Sequence, residues 1–159
     1  MNILDNFGYI KKVVFDNLSK DAANLFIIAD LIRFNTLLSV ARAGTGHLGA
    51  SLSIIEILTE IYFRSFKFSP EYLKSKDRDI FILSKGHAAP AVYAVLAAKG
   101  YFDTAKLDSL RRLGGLAGHC DIETPGIEAN TGSLAMGLSK AVGYAMLKKR
   151  ISDSLNFVV

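Results

Sequence analysis

The sequence has one cysteine, no tryptophan, three prolines and only three histidines in 159 residues. A single cysteine, Cys120, excludes an internal disulfide and a cysteine-based zinc knuckle. A signal-peptide core is lacking too. In MNILDNFGYIKKVV the apolar residues are interrupted by Asp5, Lys11 and Lys12, and no small-residue cleavage site follows, so a cytoplasmic location is expected. The stretch Ala43 to Ile55 is free of Lys, Arg, Asp and Glu, yet it contains a histidine and three glycines and falls short of the roughly 20 apolar residues that span a bilayer. No membrane partner is expected. The net charge is +4, but the cationic residues are scattered, and the densest run is Lys148-Lys149-Arg150. A short charged run is ordinarily a solvated helix face, so nucleic acid is not expected as a partner, whereas a small phosphorylated ligand suits mild positivity. Internal repeats and low-complexity segments are absent as well.

What is present is enough hydrophobic residue, 50%, to build the core of a single domain. Ser19, with Asp21 in the first turn, predicts the start of a helix through AANLFIIADLIRFNTLLSVARA that Gly44 stops. Ser53-Ile54-Ile55-Glu56 has the spacing of a capping box and predicts a second helix through about Arg64. DIFILS, ending at Ser84, suits a short strand buried on both faces, and an alanine-rich helix then runs to Gly100. Asp103 predicts the cap of a helix TAKLDSLRRL. A long polar loop follows, then a helix from about Ser133 to Arg150, and LNFVV begins a second buried strand.

The three histidines share one feature: His47, His87 and His119 each directly follow a glycine, Gly46, Gly86 and Gly118. Glycine supplies only 13 of the 159 residues, so three such pairs are a poor fit to chance. All three lie in loops at element ends, and His87 stands just past the C-terminal end of a strand, where open α/β sheets bind ligands. Convergence of the three imidazoles on one pocket is therefore expected. Gly44-Thr45-Gly46-His47-Leu48-Gly49 has the letters of a dinucleotide fingerprint, but a long helix precedes it where that motif needs a strand. The histidines together with Cys120, Asp121 and Glu123 lack the i, i+4 spacing of a zinc protease, and no metal ligands are assigned. Thr131-Gly132-Ser133-Leu134 is expected to open the last helix and to offer free N–H groups to an anion.

Four segments, TGHLGASLSIIEIL, DRDIFILSKGHAAPAVYAVLA, GHCDIETPGIE and TGSLAMGLSKAVGYA, resemble in order the first part of a transketolase, and are most similar to the separate N-terminal subunit of split transketolases. The resemblance implies an α/β fold: a partial thiamine diphosphate-binding fold with a parallel sheet core flanked by helices, helix-rich in the part present. Residues 1–159 would be the N-terminal part of that domain. It implies transfer of a two-carbon ketol unit from a ketose phosphate to an aldose phosphate, with thiamine diphosphate and Mg2+ as cofactors. The expected partners are a C-terminal transketolase subunit or domain and small sugar phosphates, in a dimer or heterotetramer.

By the same resemblance His47, His87 and His119 are the catalytic histidines, and His87, Gly132, Ser133 and Leu134 contact the cofactor. Imidazoles suit the chemistry because they can donate to a developing alkoxide and move protons near neutral pH. Cys120 stands where the family has proline, and Ala135 where it has glycine. The Gly-Asp-Gly and Asn that hold magnesium would fall after Val159, so the chain by itself is not expected to hold the cofactor tightly. The alternatives are a related thiamine-dependent synthase acting on pyruvate and a sugar phosphate, and a catalytically inactive interaction subunit.

Overall fold

The structure is a computed structural model that describes residues 3–18, 21–75, 78–151 and 157–159. Its helices are α1 (Lys12–Asp16), α2 (Ala22–Ala43), α3 (Leu48–Leu52), α4 (Ile55–Glu60), α5 (Ala89–Ala98) and α6 (Met136–Ile151). Two short strands, β1 (Ile80–Phe81) and β2 (Phe157–Val158), pair in parallel. Four 3₁₀ turns, Ile3–Asn6, Pro70–Lys74, Gly86–Ala88 and Thr104–Ser109, and a π-helical turn, Ile61–Ser65, complete the described elements.

α5 is the centre. Every residue from Ala89 to Ala98 is buried, as expected of a helix that is apolar all round, and Pro90 occupies the first turn where its missing N–H costs nothing. α2 packs along it through Leu25, Ile28, Ala29 and Ile32. By length and composition α2 could cross a membrane, but here it is a core helix whose buried face ends in polar residues with partners. Asn35 accepts from the Ile10 N–H at 2.8 Å and donates back to the Ile10 carbonyl at 2.9 Å. Thr36 donates to Ile32 O, and Ser39 to Leu107 O. The Asn35 and Ser39 bonds pin the N-terminal segment and the loop after Asp103 onto α2.

The ends of the elements differ from several sequence expectations. Asp21, rather than Ser19, is the N-cap of α2 and accepts from the Asn24 N–H at 2.9 Å; Ser19 lies outside the described residues. Gly44 closes α2 in the left-handed conformation, φ 66°. The capping box does not form. A separate short helix, α3, intervenes, and Ser53 closes it, its hydroxyl donating to Ala50 O and accepting from Lys85 Nζ at 2.8 Å. Glu56 pairs with Arg33 rather than reaching back to Ser53. Asp103 does cap, through the Ala105 N–H, but the helix is a 3₁₀ turn ending at Ser109, so Arg111, Arg112 and Leu113 are not helical.

The expected strand DIFILS is buried as anticipated, with alternate residues serving different clusters. Phe81 and Leu83 join the main core, whereas Ile80 and Ile82 pack with Ala129 and Ala141. Regular pairing is limited to two residues against Phe157–Val158, so the described residues form a helix-rich fold with a minimal parallel pair rather than a parallel sheet core. Of LNFVV, Leu155 and Asn156 lie outside the described residues. Arg78, just before β1, donates to both carboxylate oxygens of Glu128, at 3.1 and 2.5 Å, and so fastens the long polar loop beside the strand.

Candidate functional site

The three Gly-His turns meet. The His47 and His87 rings are edge to face with centroids 4.7 Å apart, His87 and His119 are 5.0 Å apart at 81°, and His47 and His119 are separated by 6.0 Å. Each preceding glycine has its own reason. Gly46 adopts φ 146° between α2 and α3. Gly86 lies backbone to backbone on the Thr131-Gly132 turn, where a Cβ would come within 2.8 Å of Gly132 N and Thr131 C. At Gly118 the occupied space belongs to a side chain, Arg111, whose Nε would be 2.9 Å from a Cβ.

His119 is held from both sides. The Tyr93 hydroxyl, from the centre of α5, donates to the His119 carbonyl at 2.7 Å, and the Thr131 N–H donates to the Cys120 carbonyl at 3.1 Å. Gly132 therefore sits beneath the His119 ring, 3.8 Å from where its Cβ would be. The Cys120 thiol is buried, which pushes its pKa up to about 12 and leaves it an inert thiol beside the site. An open depression of about 460 Å³, lined by Arg111, Arg112, Leu113, Ala117, Gly118 and His119, flanks the cluster. A larger one, about 670 Å³, lies at the other end of α5 between Tyr9, Arg42, Gly100 and Asp108 and includes none of the histidines.

The expected cofactor turn is placed differently from its prediction. Thr131 to Leu134 do not open α6, which begins at Met136; Ala135 breaks the helix in the left-handed conformation, φ 69°, and Ser133 contributes its carbonyl to the Met136 N–H at 3.2 Å. Ser133 and Leu134 are exposed on this turn, next in the chain to Gly132. The start of α6 is nonetheless locked against the end of the β1 segment, because a Cβ at Gly137 would come 2.5 Å from Ser84 Cα. The cluster also gathers two residues the sequence did not single out, Tyr93 and Arg111, whereas Lys85, which adjoins a Gly-His pair, bonds the Ser53 hydroxyl instead.

Burial pushes the His119 pKa below the usual 6.5, with the neighbouring His87, Arg111 and His47 acting in the same direction. The sign follows from linkage: below about pH 6.5 the unfolded chain takes up a proton at His119 that the folded chain refuses, so the stabilising contribution is present above that pH and is lost on acidification. The melting temperature is therefore expected to fall between pH 7 and pH 5.5, and to fall less in His119→Gln. Equal pH slopes for the two proteins would contradict this.

The transketolase thiamine diphosphate-binding domain matches residues 26–157 of the chain. The chain belongs to the transketolase family. Among transketolase relatives, a 6-deoxy-6-sulfo-D-fructose transketolase subunit of Clostridium sp. is 49% identical over 120 residues, 74% of this chain and 44% of the relative. An apulose-4-phosphate transketolase subunit of Phocaeicola vulgatus is 45% identical over 111 residues, 69% of this chain and 40% of the relative. The crystal structure of Pichia stipitis transketolase in complex with sedoheptulose 7-phosphate superimposes with a TM-score of 0.68 at 36% identity, covering 72% of this chain and 17% of that one. The matched part thus spans less than half of each of these transketolases.

Family membership gives Ala135 a meaning. Transketolases are expected to have glycine there, and the backbone is in the left-handed region that favours glycine. The side chain is exposed, so removing its methyl group costs little packing. Ala135→Gly is expected to stabilise the chain by about 1 kcal/mol, raising the melting temperature by about 2–4 °C. A lower melting temperature would show that this turn is not strained.

Proposed function

We propose that this chain is the thiamine diphosphate-binding part of a transketolase that moves a two-carbon ketol unit from an anionic ketose to an aldose, working with a C-terminal partner subunit or domain. The observation that carries the reading is the meeting of His47, His87 and His119 beside the Gly86–Gly132 backbone contact. In this reading the residues fit the cofactor: three imidazoles face one another, with the Arg111 guanidinium beside His47, and such donors suit a diphosphate. His87, Gly132, Ser133 and Leu134 would hold it. When bound, thiamine diphosphate supplies the carbon nucleophile and the electron sink for breaking the carbon–carbon bond.

The chain's own residues bind and handle protons. His47 and His119 would orient the ketose by hydrogen bonds to its hydroxyl and carbonyl oxygens, and His119, whose pKa is lowered chiefly by burial, would accept a proton from a sugar hydroxyl. Hydrogen bonds to a developing alkoxide are worth more in such a site than in water. By the family resemblance the magnesium ligands are proposed to lie elsewhere in the assembled domain, and no step here runs through the metal.

We further read β1 and β2 as two strands of the parallel sheet of the complete domain, and place the enzyme in the cytoplasm as a dimer or heterotetramer. Two relatives are named for a sulfo-sugar and for a sugar phosphate, which supports an anionic ketose as donor. The test combines the chain with its C-terminal subunit, thiamine diphosphate and magnesium, and follows aldose-dependent consumption of ketose phosphates and sulfo-ketoses. Stable assembly with no ketol transfer from any of them would overturn the reading.

A further inference from the structure

We propose that Arg111 is a positioning residue that fixes the tautomer of His47, making that imidazole a hydrogen-bond donor through Nε2. Arg111 Nη2 lies 3.2 Å from His47 Nδ1, and Nη1 donates to the Thr45 hydroxyl at 3.4 Å. The same guanidinium lies over Gly118, where a Cβ would be 2.9 Å from Nε and 3.1 Å from Cζ. One side chain therefore bridges two of the three Gly-His turns, those of His47 and His119.

The backbone is arranged to deliver it. Arg111 has φ 57°, a left-handed conformation that an arginine adopts only where its surroundings impose it. Here they do: the Arg111 N–H donates to Leu116 O at 2.7 Å, and the Leu116 N–H donates to the carbonyl and the hydroxyl of Ser109, both at 3.1 Å. The loop can close this tightly because residue 115 is glycine; a Cβ there would come 2.2 Å from Ser109 O.

The chemical consequence follows from what a guanidinium can do. It has five N–H donors, no acceptor, and keeps its proton at any pH the protein meets. An imidazole nitrogen facing it must accept, so His47 Nδ1 is unprotonated and the ring proton resides on Nε2. His47 is thereby assigned as the donor of the cluster and excluded as its base, and that leaves proton acceptance to His87 or His119. The catalytic consequence rests on the ketol-transfer reading above, whereas the tautomer does not.

The test has two arms. In the full chain labelled with nitrogen-15, long-range proton–nitrogen correlation at neutral pH is expected to show His47 Nδ1 unprotonated, and Arg111→Ala to show a mixture of the two tautomers. A protonated Nδ1 in the wild type would overturn the proposal whether or not the variant folds, as would an Arg111→Ala spectrum with the wild-type tautomer proportions. In the complex with the C-terminal subunit, Arg111→Ala is expected to lower kcat by at least about tenfold, with Arg111→Lys recovering part of the loss because it too can only donate. Wild-type kcat and KM in Arg111→Ala would overturn the positioning role. Absence of ketol transfer in the wild-type complex would instead overturn the functional reading, and the spectra would still decide the tautomer.

Discussion

Replacing His87 by alanine is expected to lower the proposed ketol-transfer turnover, measured with the proposed C-terminal partner, by at least about 10²-fold, while shifting the chain's stability by no more than about 1 kcal/mol. The two halves of this expectation have separate causes. His87 stands between the other imidazoles, 4.7 and 5.0 Å from them by ring centroid, so its loss opens the middle of the cluster. The turn that carries it depends on backbone instead: the Ala88 N–H donates to Lys85 O at 2.9 Å, and α5 begins at Ala89. An alanine can hold that turn. Steady-state kinetics with saturating cofactor is the measurement. Unchanged kcat and KM would remove His87 from the proposed chemistry, and a collapse in melting temperature would mean the residue is structural.

The second large effect is expected at Gly86. A methyl group there would lie 2.8 Å from Gly132 N, 2.8 Å from Thr131 C and 2.9 Å from Gly132 Cα, all backbone atoms that no rotamer change can move. Nor can the opposing turn retreat freely, because the Thr131 N–H is bonded to the Cys120 carbonyl and His119 is anchored by Tyr93. Gly86→Ala should therefore cost about 1–3 kcal/mol, as overpacking does. The separation forced between the His87 turn and the Gly132 turn should cost more in activity than in stability, since a displacement of about 1 Å can lower a rate 10²-fold. Gly49→Ala is the control: nothing lies within 4 Å of its would-be Cβ, and in α3 an alanine should be neutral or stabilising. If Gly86→Ala melts and turns over like the wild type, the close approach is not what holds the site together.

The cases in which sequence reading failed have a common form. Ser53 and Glu56 have capping-box spacing, but Lys85 and Arg33 take those side chains, and neither partner is near in sequence. The helix expected through Leu113 stops at Ser109 because Leu116 bonds back to Ser109 and Arg111. The last helix begins at Met136 rather than Ser133 because Ala135 is left-handed, a conformation the letter alanine does not advertise. In each case a long-range or strained contact overrode a local preference.

What the sequence alone determined is whatever is written in local pattern. α2 and α5 follow from apolar spacing and the glycines that end them, burial of DIFILS on both sides from an unbroken apolar run, and the family from four motifs in order. The Gly-His pairs marked three turns as places where a histidine needs a neighbour without a side chain. The tertiary structure decided why each glycine is there: a backbone angle at Gly46, another backbone at Gly86, a guanidinium at Gly118. It also decided that Arg111 faces His47 across 64 residues of chain and that Tyr93 holds His119 from the middle of a buried helix. The physical reason is that hydrogen bonds and close contacts depend on distance in space, and the positions of atoms so far apart in the chain are set only when the core around α5 has packed.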